Sequence, residues 1–172
     1  MDHDDGSQFF TDEGNVLVYS GVKNFLGNSK TFVGNLIVNA GSGTNIGCFA
    51  NDGSAATGRS NHVFANNSCS YVQATPCPMH PYNASEGPPG SGAFREFVDS
   101  STFSTAGNTY FTAGSKYLMM VPSTSQGTLP TNLSLAEVAS DSAAEHGSTE
   151  HPMLTVHETV QRARELLLPA AA

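Results

Sequence analysis

The residues with the most obvious chemistry open the chain: Asp2, His3, Asp4 and Asp5 stand in a row, and Lys23 follows in the next apolar stretch. In an extended segment Asp2 and Asp4 point to one side, His3 and Asp5 to the other. Carboxylates this close raise one another's pKa, as a general acid acting on a glycosidic bond requires. The same residues also read as an Asp-Gly-Ser turn with solvated carboxylates, at a chain end where order is weak. Asp2, Asp4 and Glu13 fall at positions 1, 3 and 12 of an EF-hand loop, but Gly6 and Ser7 occupy positions 5 and 6. The acid and the glycine are both misplaced, so that motif fails. A structural calcium ion held in another way stays open, and no other cofactor is expected. Cys69, Cys77 and His80 have no zinc-finger spacing. His62, His80, His146, His151 and His157 have no nucleophile at a recognisable distance, and no P-loop, dinucleotide or G-x-S-x-G motif occurs.

The body that must carry these groups has an unusual composition. Gly, Ser, Thr and Asn supply 65 of 172 residues, and charged residues only 13%, against about 25% in an average soluble domain. This mix disfavours helical bundles and suits short strands joined by turns. A net charge of −8 with only seven Lys and Arg argues against nucleic acid as a partner. No apolar run approaches the ~20 residues of a membrane span. Residues 1–15 carry five acids and no base, residues 135–158 repeat that count, and residues 16–134 are nearly neutral. A neutral polar body suits strands stacked in register, where like charges about 4.8 Å apart would repel.

Short apolar runs recur between turn signals: Asn15–Tyr19, Gly34–Asn39, His62–Asn67, Asn108–Phe111 and Tyr117–Val121. Each has strand length, and most are bounded by Asn. The spacing is 20 residues from Asn15 to Asn35, 31 from Asn35 to Asn66 and 41 from Asn67 to Asn108. The excess falls in loops such as Gly41–Ser60 and the Pro-rich segment 74–92. The fold class expected is therefore all-β, a right-handed parallel β-helix (solenoid) of four to five coils over residues 1–134. Aligned Asn side chains would then form a ladder in which each amide donates to the carbonyl of the next; ordinary turn Asn is the alternative. An acidic linker or last coil spans 135–154. Thr155 and Glu158 form a capping box for a helix over 155–168, with Val156, Val160, Ala163 and Leu167 as the face that docks.

Compartment follows from cysteines and sequons. Cys48, Cys69 and Cys77 allow three thiols or one disulfide with a spare, and Cys69–Cys77 would close the Pro-rich loop. Asn66, Asn83 and Asn132 each open an N-glycosylation sequon. Together they favour a secreted glycoprotein, extracellular or at the cell surface. The opening Met-Asp-His-Asp-Asp contains no signal-peptide pattern, so a secreted chain would be a mature form or a fragment.

Asp2-His3-Asp4-Asp5-Gly6-Ser7, Asn15–Asn24 and Gly34–Val38 together resemble the D-x-D-D-G-S … N-x-x-x-x-x-G-x-K … N-N-x-I run of secreted right-handed parallel β-helix proteins, the pectate-lyase-like superfamily. Leu135–Glu137, Gly147-Ser148 and His151-Pro152 with the following helix resemble the end of such proteins, with Glu145 and His151 in place of expected acids. The resemblance implies polysaccharide cleavage by acids on an exposed face. Asp4 or Asp5 would be the acid and a second Asp, such as Asp2, the base. Lys23 would assist as a sugar or uronate contact, and His3 and Lys30 would bind substrate. The expected function is binding or processing of extracellular polysaccharide, as a hydrolase or lyase if catalytic. The alternative is a non-catalytic structural or adhesive subunit of a filament or surface assembly. A solenoid also needs caps, and nothing caps the N-terminal end, so a protein partner stacking there is expected besides the glycan.

Overall fold

The computed structural model describes residues 1–3, 7–25, 27–40, 48–52, 61–71, 103–112, 119–121, 131–141 and 145–168. Strands β1 (Asp2–His3), β4 (Val22–Phe25) and β7 (Phe49–Asp52) form one parallel sheet. Strands β2 (Thr11–Glu13), β5 (Thr31–Val33), β8 (His62–Ala65) and β10 (Phe103–Ala106) form a second. Strands β3 (Val16–Val18), β6 (Leu36–Ala40), β9 (Ser68–Tyr71), β11 (Thr109–Thr112) and β14 (Thr149–Pro152) form a third. Strands β12 (Met119–Val121) and β13 (Thr131–Leu133) pair antiparallel. Among the described residues there are two helices, α1 (Leu135–Asp141) and α2 (Val156–Leu167).

This corrects the expected all-β right-handed parallel β-helix solenoid of four to five coils. Parallel sheets of four and five strands accompanied by helices give an α/β-type layout. No closed solenoid is found among the described residues, where the first sheet stops at β7. A β-rich average composition does not exclude helices, because a few residues decide one. Ser134 and Glu137 build a capping box of their own at α1, with Ser134 N–H donating to Glu137 Oε2 at 2.8 Å.

Corners between strands explain the Gly and Asn content. Gly14, Gly34, Asn66, Gly107 and Gly147 all have φ between 55 and 71°, where residues without a bulky Cβ are favoured. Each joins a second-sheet position to a third-sheet position. A Cβ on Gly107 would collide with Asn66 Oδ1. A second column, Phe9, Ser29 and Asn61, also lies at positive φ (51 to 67°), just before β2, β5 and β8.

The core is apolar and continuous between sheets. Phe49 of β7 packs against Phe32 of β5 (ring centroids 5.4 Å apart) and Phe64 of β8 (4.8 Å). Ile37, Cys69 and Tyr110 stack in register along the third sheet and are all fully buried. Cys69 is joined to Cys48, 21 residues earlier, with Cα atoms 6.0 Å apart. The bridge ties the start of β7 to β9. The expected Cys69–Cys77 pairing is thereby corrected: Cys77 lies outside the described residues, and sequence proximity was the wrong guide because β-sheet stacking brings Cys48 alongside.

Helix α2 has the expected capping box at Thr155 and Glu158, and it lies against β6. Its docking face departs from the expected one at three of the four positions, Ala163 being the one that turns inward. Val156, Val160 and Leu167 are exposed, whereas Thr159, Ala163 and Leu166 are half-buried. The Arg162 guanidinium sits 4.9 Å over the Phe111 ring, a cation–π contact that fixes which face turns inward.

Candidate functional site

The residues singled out for chemistry separate into three groups. Backbone register sets Asp2 opposite Lys23 and His3 opposite Asn24 on the β1–β4 pair, so the Asp2–Lys23 association is real at the level of the strands. Asp4 and Asp5 lie outside the described residues. Lys30 is fully buried and offers no surface to a substrate, which corrects its expected binding role. Of the sequons, Asn66 is exposed at its corner, Asn132 lies on β13 opposite Met120, and Asn83 is outside the described residues. No cluster of His, Cys, Asp or Glu able to hold a metal ion occurs among the described residues.

Lys30 instead packs with His62, also buried. The Lys30 backbone N–H donates to His62 Nδ1 at 3.4 Å, which requires an unprotonated Nδ1. Burial lowers the His62 pKa to about 4, and the positive charge of Lys30 adds to the effect; a hydrogen bond with the Gly27 backbone opposes it. His62 is a neutral core residue with no role open to solvent.

The most extensive polar feature is a column of four asparagines at the start of the third-sheet strands. Asn15 Nδ2 donates to Asn35 Oδ1 (3.1 Å), Asn35 Nδ2 to Asn67 Oδ1 (3.0 Å) and Asn67 Nδ2 to Asn108 Oδ1 (3.3 Å). The backbone N–H groups of Asn15, Asn35 and Asn67 donate to the same oxygens at 2.9 to 3.0 Å. The second amide hydrogens go to carbonyls of the second sheet, Asp12, Phe32 and Phe64, each at 3.0 Å. Every interior rung is thus satisfied without water, and aligned amide dipoles polarise one another.

The column ends on a carboxyl group. Ser148 stands where a fifth Asn would, after the corner at Gly147, and its Oγ accepts from Asn108 N–H at 2.8 Å. Asn108 Nδ2 donates to Glu145 Oε2 at 3.2 Å, Ser148 Oγ donates to the same oxygen, and the Tyr110 hydroxyl donates to Glu145 Oε1 at 2.8 Å. Glu145 is 1% exposed. Burial pushes its pKa above the usual carboxylate range, against hydrogen bonds from Ser148, Tyr110, Asn108 and Thr105 that favour the charged form. Ser148 and Glu145 together replace one Asn and close the column. Sequence reasoning reached the ladder but missed this cap; the signal available was the Gly147-Ser148 pair in the slot of a Gly-Asn.

No family model, no curated protein and no solved structure matches this chain. Its site is therefore read from its own geometry, and the resemblance stated above rests on the quoted residues alone.

The other end of the column, among the described residues, is Asn15. Asn15 is half-buried, and no described residue donates to its Oδ1. Strands β1, β2 and β3, consecutive in the chain, are the terminal strands of the three sheets. Around them Phe9, Phe10, Val18 and Tyr19 are 76, 46, 54 and 59% exposed. Phe9 and Tyr19 also have φ of 60° and 54°. Further down the Phe9 column the same geometry is met by Ser29 and Asn61. Placing aromatic rings there costs about 1–2 kcal/mol each, and neither ring gains burial in return. The disulfide fits an oxidising compartment, and among the described residues no helix is long and apolar enough to cross a membrane.

Proposed function

We propose that this protein is a non-catalytic, extracellular structural or adhesive subunit that joins an assembly through its N-terminal sheet edges. The observation that carries this reading is the pair of exposed aromatics, Phe9 and Tyr19, held in left-handed backbone beside three terminal strands. Backbone strain with no return in packing inside the protomer points to a role outside it. Edge strands present unpaired N–H and C=O groups that accept another chain, and an apolar rim excludes water from that contact. The test is the double variant Phe9→Asn with Tyr19→Asn. It stabilises the isolated protomer by about 1 kcal/mol or more, since Asn tolerates this backbone region, and it removes concentration-dependent association in sedimentation velocity. A variant that is destabilised and associates as before would overturn the reading.

A second reading, binding of extracellular glycan, is supported by a groove of about 290 Å³ lined by Asn66, Ser68, Arg162 and Glu165. It adjoins a second hollow of about 260 Å³ lined by Glu158 and Gln161 that shares Arg162 and Glu165. Side-chain amides, a guanidinium and carboxylates are the groups that hydrogen-bond sugar hydroxyls. Retarded migration through gels containing acidic polysaccharides, lost in Arg162→Ala, is the expected result; migration equal in both proteins would remove this reading.

A further inference from the structure

We infer that Asn66 carries an N-linked glycan whose first sugars lie in the groove between α2 and the third sheet. This takes the groove of the second reading above and makes the glycan the chain's own. Asn66 and Asn67 are adjacent and do opposite things. The Asn67 side chain is buried, with its hydrogen bonds made inside the column. Asn66 is exposed, and no described residue hydrogen-bonds its side chain. The other corners in its row, Gly14, Gly34, Gly107 and Gly147, are glycines; Asn66, at φ 55°, is the one with a side chain. That side chain leans over Gly107, where its Oδ1 fills the space a Cβ would need. Oδ1 is thus held against Gly107, and Nδ2, the atom that takes a sugar, is the branch left unused. Asn66 opens the sequon Asn66-Asn67-Ser68, with the Ser hydroxyl at its third position.

In the transfer, Nδ2 attacks the anomeric carbon of a sugar carried on a polyprenyl pyrophosphate. The N–C bond forms, the sugar C1–O bond breaks, one amide proton goes to a base of the transferase and the lipid pyrophosphate leaves. In the folded chain Ser68 N–H donates to Asn35 O, and Asn67 is buried between Asn66 and Ser68. The sequon is legible to a transferase only before the third sheet closes. The fold must then supply room, and it does. The groove beside Asn66 holds about 290 Å³ and is lined by Gly34, Arg162, Glu165 and Leu166. A Cβ built on Gly34, one corner away, meets nothing within 4 Å. Leu166 offers a pyranose apolar surface, and Arg162 and Glu165 offer its hydroxyls a donor and an acceptor. Helix α2 has no fully buried residue, so a tethered sugar bridging it to the corner adds to a thin contact.

The test compares the full chain secreted from a glycosylating eukaryotic cell with the same chain made unglycosylated in a bacterial periplasm, where the Cys48–Cys69 disulfide also forms. Peptide mapping after enzymatic glycan release in heavy-oxygen water reads each sequon separately, because a released site becomes a labelled Asp. The expected result is a glycan on Asn66 of the secreted chain, absent in Asn66→Gly, which keeps the backbone of the corner. The seated glycan raises Tm by about 2–4 °C over the unglycosylated chain. Asn66→Gly made in both hosts subtracts whatever Asn83 and Asn132 contribute. The rise vanishes in Arg162→Ala, each form being compared with its own unglycosylated counterpart so that the loss of the Phe111 contact cancels. An unmodified Asn66 overturns the inference, and so does a glycan whose effect on Tm is the same with and without Arg162. Retardation of the unglycosylated chain by polysaccharide, with Asn66 unmodified in the secreted chain, removes the chain's own glycan and leaves binding of a foreign one standing. No retardation, with Asn66 occupied and the Arg162-dependent rise present, removes the foreign glycan alone and bears the inference out.

Discussion

The two ends of this molecule are built from the same unit and finished differently. At the C-terminal end the asparagine column runs into Ser148 and a buried Glu145, every donor is accepted, and the last strand of the third sheet carries charge and a proline. At the N-terminal end the column stops at a half-buried Asn15 whose carbonyl receives no described donor, and aromatic rings stand exposed on strained backbone. Natural sheets blunt their edges with charge, proline and bulges to prevent pairing. One end follows that practice and the other does the reverse, and the proposal of association at the N-terminal strands rests on that contrast.

The largest expected effect comes from breaking the column in its middle. The Asn67 side chain accepts two hydrogen bonds and donates two, all buried. Asn67→Ala loses about 4 kcal/mol in urea unfolding, from several orphaned groups at about 1–3 kcal/mol each. Asn15→Ala loses about 1 kcal/mol, because only the bond from its Nδ2 to Asn35 Oδ1 disappears while its backbone N–H keeps its own. Equal costs at the two positions would abolish the distinction between an interior rung and an open end.

The cap comes next. Glu145→Ala leaves the Tyr110 and Ser148 hydroxyls and one hydrogen of Asn108 Nδ2 without their acceptor, and costs about 3 kcal/mol at pH 5. The carboxyl's raised pKa gives a definite pH sign. Its contribution is full below the ordinary carboxylate value of 4.5 and declines as pH rises through the raised native value. Glu145→Gln therefore flattens the alkaline side of the stability profile. A profile identical to that of the unaltered chain would mean that the carboxyl is not buried.

His62, between the two ends, gives the opposite slope. Its native pKa of about 4 lies below the ordinary 6.5. Stability is full above pH 6.5 and falls as pH drops from 6.5 towards 4, because only the unfolded chain binds the proton there. The loss is on the order of 3 kcal/mol, read from urea midpoints across that window. His62→Gln removes this slope.

How much of this was legible in the sequence depends on the range of the interaction. Asn15, Asn35, Asn67 and Asn108 were readable as a ladder because each follows a corner residue and precedes an apolar strand. The capping box at Thr155 was readable because it is local. The overall class was misjudged because composition averages over the chain and conceals α1, which a single Ser134–Glu137 pair initiates. The Cys48–Cys69 bridge and the Lys30–His62 pair depend on stacking of segments 21 and 32 residues apart, separations that carry no local mark. The α2 face was misjudged because Arg162 contributes its contact with Phe111 to docking while counting as polar in any hydropathy pattern. The strained aromatics escaped notice altogether, since φ has no signature in the sequence when the residue is Phe or Tyr.

The central claim, that the chain associates through its N-terminal strands, is tested most directly by residue-resolved amide hydrogen exchange of the intact chain as its concentration is raised. The account predicts slower exchange at β2 and β3, with β10 and β14 unchanged. Slowing at β14, or protection spread evenly over both ends, would contradict it.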